Sequence, residues 1–419
     1  MSAAAADSVV AELARRLADP AATYGPDGSG SLLDREAGVA LLFAELGHAD
    51  PGYRRVAHAY LAAANRRVRA DGRHALFDGL PALAFAASCA VQREGEYASL
   101  LAGLDASVLE IARARLGAER ERLAAGVPAA DVTAFDVISG LTGLGRYLLR
   151  RRASEEADRL LREILGHLTA LVRPVERAGS PVPGWWSEAG PVARAEPGRG
   201  HANLGMAHGI PGPLALLSTA WLAGVRVPGQ AAAIESIVSF LIAWSGVDGG
   251  IPYWPSVLRL DDGTGRLTGT PRANEAWCYG RPGVLRAIQL AARALERTEW
   301  RDRVRASVRD LPSLPQPHWR IREDSLCHGW AGLLRIFGRI WHDDPGTGLG
   351  GLVDWLAERT VADFDPGQRY GYRAVRGPDG ERSDDPGFLT GAAGVALALH
   401  AYRTGPEPAT GWDAALLLG

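Results

Sequence analysis

The chain has 419 residues, 47% of them hydrophobic and 22% charged, with 46 basic and 48 acidic side chains. Such a composition buries a large core and excludes a disordered tail protein or a coiled-coil rod. Every basic residue is Arg, and a net charge of −2 leaves no chain-wide basic field to hold a nucleic-acid backbone.

The N-terminus, Met1-Ser2-Ala3-Ala4-Ala5-Ala6-Asp7, lacks the basic-then-apolar order of a secretion signal. An amphipathic segment over Val9–Leu17 leads to Arg35-Glu-Ala-Gly38 and an apolar stretch, Val39–Leu46. A second amphipathic segment, Tyr53–Arg69, leads to Gly79-Leu-Pro-Ala82 and an apolar run to Val91, too short to cross a bilayer. Cys89 lies in that run and reads as a small core residue. The same order then recurs with full glycine pairs. Tyr97–Leu116 precedes Gly140-Leu-Thr-Gly143, Glu155–Val172 precedes Gly209-Ile-Pro-Gly212, and Ala231–Trp244 precedes Gly280-Arg-Pro-Gly283. Glu299–Leu311 precedes Gly329-Trp-Ala-Gly332, and Leu349–Phe364 precedes Gly391-Ala-Ala-Gly394.

One such glycine pair carries no information; seven copies at intervals of roughly 45 to 70 residues specify a fold. Amphipathic helix, glycine turn and apolar helix, seven times over, predict an all-α fold of the α/α-toroid type. Seven inner and seven outer helices would close into one ring over residues 1–419. Strand signals are sparse, with Ile251–Trp254 and Arg369–Val375 as short hairpins or loops. The longest interruption, 178–207, is rich in Pro, Gly and Trp and forms an excursion from the ring; exposed Trp185 and Trp186 would mark it as functional.

Three cysteines cannot build a disulfide framework, which points to a reduced, cytosolic chain. Cys278 and Cys327 each stand two residues before the first glycine of their copies, and His328 and His208 stand one before theirs. Asp136 stands four before Gly140. In a closed repeat these positions converge on one axis. Two thiolates and an imidazole suit Zn²⁺ with one open position, and they argue against Mg²⁺ or Ca²⁺, which take oxygen. Cysteines 49 residues apart match no zinc finger or ribbon. His208 reads either as an acid–base group or as a fourth ligand, and Asp136 either as functional or as a helix cap. Tyr279 lines the same cavity, whereas His201, His318 and His400 read as surface or core residues.

These blocks together, Phe135-Asp136-Val137-Ile138-Ser139-Gly140, Ala207-His208-Gly209, Trp277-Cys278-Tyr279-Gly280 and Cys327-His328-Gly329, resemble those of the LanC lanthipeptide cyclases over essentially the whole chain. The resemblance implies a toroid with one Zn²⁺ held by Cys278, Cys327 and His328, and His208 and Asp136 as the acid–base pair. It implies a free-standing cyclase that adds Cys thiols of a dehydrated precursor peptide to dehydroalanine or dehydrobutyrine, making thioether rings. Tyr279 would assist. A dehydratase and a transporter would be partners, on the cytoplasmic face of the membrane, with no nucleic acid involved. A zinc protein that captures glutathione or another small thiol is the alternative. One departure stands out: the Arg that family members often carry four residues before the first zinc cysteine is Asn274 here, with Arg272 nearby.

Overall fold

The computed structural model describes residues 3–24, 31–68, 74–127, 130–188, 200–261, 263–377 and 379–419. Arg69, the expected end of one helix, and residues 189–199 of the excursion lie outside that set. Contacts divide the chain into two units, 1–108 with 311–415 and 419, and 109–310 with 416–418.

Helices come in pairs, an amphipathic one and then a buried one begun by a glycine copy. The pairs are α1 (Ala3–Arg16) with α2 (Glu36–Leu46), α3 (Gly52–Arg67) with α4 (Gly79–Ala90), and α5 (Ala98–Ala124) with α6 (Leu141–Arg150). Next come α7 (Glu155–Ala170) with α8 (Pro211–Leu222), and α9 (Gln230–Ala243) with α10 (Arg281–Ala294). The last are α11 (Thr298–Val308) with α12 (Trp330–Asp343), and α13 (Gly350–Ala362) with α14 (Ala392–Thr404). The alternation follows from composition. Helix α2 has only Glu36 and Glu45 as polar side chains, and all its residues are buried, as a helix without a polar face must be. Helix α7 shows Glu155, Glu156 and Asp158 to water in its first turn and buries only the stripe from Ala157 to Leu168. Cys89 is 1% exposed in α4, a core residue as expected.

In the first unit α12, α14, α2 and α4 pack in that order, with α13, α1 and α3 against them. In the second unit α6, α8 and α10 pack in order, with α7, α9 and α11 against them. The glycines set the spacing. The second glycine of a copy sits where its helix crosses the previous copy. A Cβ on Gly283 would collide with the Trp277 carbonyl and stand 2.9 Å from Met206 Cβ.

A main-chain relay joins successive copies at the positions just before their first glycines. In the second unit Val137 N–H donates to the Ala207 carbonyl, and Ala207 N–H to the Cys278 carbonyl. In the first unit Cys327 N–H donates to Leu389, Leu389 N–H to Leu33, and Leu32 N–H to Phe77. Backbone groups buried at these turns are thereby satisfied without any side chain.

Strands are few and short. β1 (Val175–Arg177) pairs with β2 (Ser180–Val182), and β4 (Gly246–Asp248) with β5 (Ile251–Tyr253). β3 (His201–Asn203), β6 (Val257–Leu260) and β7 (Leu267–Gly269) form an antiparallel sheet that the composition did not announce. β8 (Arg373–Arg376) and β9 (Glu381–Asp384) make a hairpin in the first unit. The excursion corrects one expectation: Trp185 and Trp186 are only 3% and 2% exposed. Trp185 meets Phe240 edge-on at 4.9 Å, and Gly200 lies against the Trp186 indole. Trp185 packs onto α9 and Trp186 onto Gly200, and neither forms an open surface. No helix among the described residues is long and apolar enough to cross a membrane.

Candidate metal centre and acid–base pair

The second unit brings Asp136, His208, Cys278 and Tyr279 together. Asp136 follows a short 3-10 turn, Val132–Ala134, and is fully buried. Its two oxygens do different work. Oδ1 accepts the Ser139 N–H at 2.6 Å, closing the turn into α6, while Oδ2 accepts from His208 Nδ1. Asp136 is thus not the helix cap, which is Gly140 without a side-chain bond; it braces the turn before α6 and meets His208. With Nδ1 committed to the carboxylate, the other ring nitrogen, Nε2, is the one left to exchange a proton.

Burial drives the His208 pKa down, but the Asp136 hydrogen bond and charge, with Cys278 adding to them, outweigh it and raise the value above the ordinary 6.5. Arg115, not picked out from the sequence, donates to the Ser139 carbonyl, and the charges of Asp136 and Asp131 act on it. Burial pulls the Arg115 pKa down.

Cys278 and Tyr279 are held from both sides. Trp277 is buried and its indole N–H donates to the Leu416 carbonyl at 2.9 Å. After Tyr279 the chain turns at Gly280 with φ +94, a conformation that side chains resist. The Tyr279 ring stands 6.3 Å from that of His208. Its hydroxyl accepts from Asn203 Nδ2 at 2.9 Å, while Asn203 Oδ1 caps the Gly205 N–H. Arg272, a candidate to replace the Arg missing at Asn274, is buried with Nη2 3.2 Å from Glu275. Glu275 also faces Arg281, which in turn grips Asp310 at 2.9 and 3.0 Å.

The first unit carries Cys327 and His328 side by side at the start of α12, both partly buried. His328 N–H donates to Ser325 Oγ at 3.2 Å. Glu323, 4% exposed, places Oε1 2.9 Å from His328 Nε2. Burial pushes the Glu323 carboxyl up, but His328, Ser325 and the Val375 N–H outweigh burial and hold it below the usual range.

Asn203 and Glu323 were not picked out from the sequence. Their signal was there: each stands six residues before its first glycine, as Asp385 does, and Asp385 likewise accepts the N–H two residues on, that of Gly387. Of the three histidines set aside, His201 is buried, His318 is exposed and His400 lies between.

Residues 28–417 match the family described as Lanthionine synthetase C-like protein. Nisin biosynthesis protein NisC of Lactococcus lactis subsp. lactis is 24% identical over 295 residues, covering 68% of this chain. The match spans 64% of NisC, less than two thirds of that protein's length. A solved structure named Nisin cyclase is similar with a TM-score of 0.76 at 21% identity, over 99% of this chain and 96% of that one. That likeness shows the fold to be an all-α, α/α toroid, the ring expected from the seven copies. With a match over all but the ends of its sequence, the chain belongs to the Lanthionine synthetase C-like family.

Proposed function

We propose that the protein is a zinc-dependent lanthipeptide cyclase, joining Cys thiols of a dehydrated precursor peptide to dehydroalanine or dehydrobutyrine as thioethers. One observation carries this reading. In the sequence Cys278 and Cys327 each stand two residues before the first glycine of their copies and His328 one before its own, the equivalent places from which we propose they hold one ion. The donor set fits zinc: two soft thiolates and an imidazole make three protein ligands and leave the fourth tetrahedral position open. A zinc ion bound there would supply a site at which a substrate thiol loses its proton and is held as a nucleophile.

The remaining chemistry belongs to the chain. As the thiolate sulfur bonds to the β-carbon, the C=C electron pair moves toward the carbonyl and an enolate forms. His208, protonated at both nitrogens and anchored by Asp136, delivers its Nε2 proton to the α-carbon. Tyr279, its hydroxyl fixed by Asn203, stands beside the His208 ring and would line the path of the reacting peptide. The similarity to NisC and to Nisin cyclase supports a peptide substrate, and a dehydratase and a transporter are the partners we propose with it.

Metal analysis of Cys278→Ala and Cys327→Ala, run beside ring formation on a dehydrated peptide counted by free thiols, tests the reading. Zinc and cyclisation should disappear together; stoichiometric zinc in both variants would refute the ligand set. His208→Asn should keep zinc and slow the rings.

A further inference from the structure

We infer that Glu323 is a positioning residue for the ligand His328: its carboxylate holds Nε2 and so leaves Nδ1 as the nitrogen that faces the metal. The inference rests on the zinc reading above. The local turn folds the Glu323 side chain back over its own copy. Trp330 N–H donates to the Glu323 carbonyl at 3.2 Å and Gly329 N–H to the Ser325 carbonyl at 3.0 Å, closing the loop at the start of α12. Glu323 Oε1 then lies 2.9 Å from His328 Nε2, an ion-pair distance. Oε2 is engaged elsewhere, accepting the Val375 N–H of β8.

A carboxylate at 4% exposure is costly unless paired. Glu323 is paired to a ligand on one side and to a fixed main-chain donor on the other. A carboxylate behind a metal-bound imidazole fixes its tautomer and ring orientation and raises its basicity; losing it typically weakens metal binding by about 10–100-fold. A merely structural role, anchoring the β8–β9 hairpin, would need only an acceptor for Val375 N–H. The amide oxygen of glutamine supplies that, so Glu323→Gln separates the two roles.

The test uses the full chain, loaded with Zn²⁺ and, separately, with Co²⁺. Wild type should bind one zinc; if it binds none, the metal reading fails and this inference with it. Glu323→Gln should melt like wild type and bind one zinc about 10–100-fold more weakly in competition with a chromophoric chelator. Its Co²⁺ form should keep the thiolate charge-transfer band while the d–d bands shift. Glu323→Asp should recover part of the affinity. Unchanged affinity and an unchanged Co²⁺ spectrum in Glu323→Gln, alongside normal zinc in wild type, overturn this inference alone. A second readout needs no variant at position 323: in ¹⁵N-histidine-labelled, zinc-loaded wild type, His328 should carry its proton on Nε2, and a proton on Nδ1 sinks the assignment.

Discussion

Asp136→Asn changes one atom at the centre of the acid–base pair. The asparagine oxygen can keep the Ser139 N–H, now 2.6 Å from Oδ1, so the turn into α6 is preserved. The amide NH₂ then stands where Oδ2 accepted from His208 Nδ1, and it can only donate. His208 must move its proton to Nε2 and lose its charged partner. A hydrogen bond to a charged group contributes about 1.5–3 kcal/mol and a neutral one about 0.5–1.5, so roughly 1–2 kcal/mol is lost. Burial stays, so the His208 pKa should fall from above 6.5 to below it. The sign for stability follows. A histidine whose folded pKa is raised stabilises the fold below its unfolded value, and that contribution fades as pH climbs through the folded value. Wild type should therefore gain stability between pH 8 and 6 that Asp136→Asn lacks. An NMR titration of the His208 ring, with denaturation at both pH values, reads this directly. Ring formation at pH 7 should drop by about 10²-fold or more, the scale of general acid catalysis. An unmoved His208 titration in the variant would refute the coupling, whatever happened to the rate.

His201 should act in the opposite sense: its pKa is lowered to about 4 by burial first and the Arg259 charge second. The unfolded chain takes up that proton near 6.5 and the folded one does not, so acidification from pH 6.5 to 4 should cost about 3 kcal/mol. His201→Leu should then lose less of its melting temperature between pH 7.5 and 4.5 than wild type; equal losses would discard this account. Gly283→Ala should destabilise by about 1–3 kcal/mol, because its methyl meets the Trp277 carbonyl and Met206. Gly338→Ala in α12, where nothing lies within 4 Å, should stabilise by about 0.5–1 kcal/mol. Thermal melts of the two variants should thus move in opposite directions.

Much of this was legible in the sequence because the repeat leaves a mark at fixed places. The glycines are visible since they mark an extended cap, as at Gly140, a positive-φ turn, as at Gly280, or a crossing that admits no side chain, as at Gly283. The residues one and two before them follow by register, which is how Cys278, Tyr279, Cys327 and His328 could be named. What was not legible depends on partners distant in the chain. Trp185 finds Phe240 on α9, and Asn203 finds Tyr279 from β3, a three-residue strand that leaves no periodicity to read. Arg115 lies within α5 like any other solvent-facing arginine until the Ser139 carbonyl claims it. The contact of Glu323 with Val375 could not be read either, because nothing in the sequence says that β8 returns over it.

The relay through Val137, Ala207 and Cys278, and the other through Cys327, Leu389 and Leu33, uses only amide and carbonyl groups. Alanine, leucine and cysteine occupy equivalent sockets without altering a single strut of the frame. Chemistry can accordingly be installed or erased at any of these sockets by point substitution, while the architecture stays indifferent. The toroid behaves as a holder with interchangeable tools, and exchanging the thiols at positions 278 and 327 should leave these backbone bonds in place.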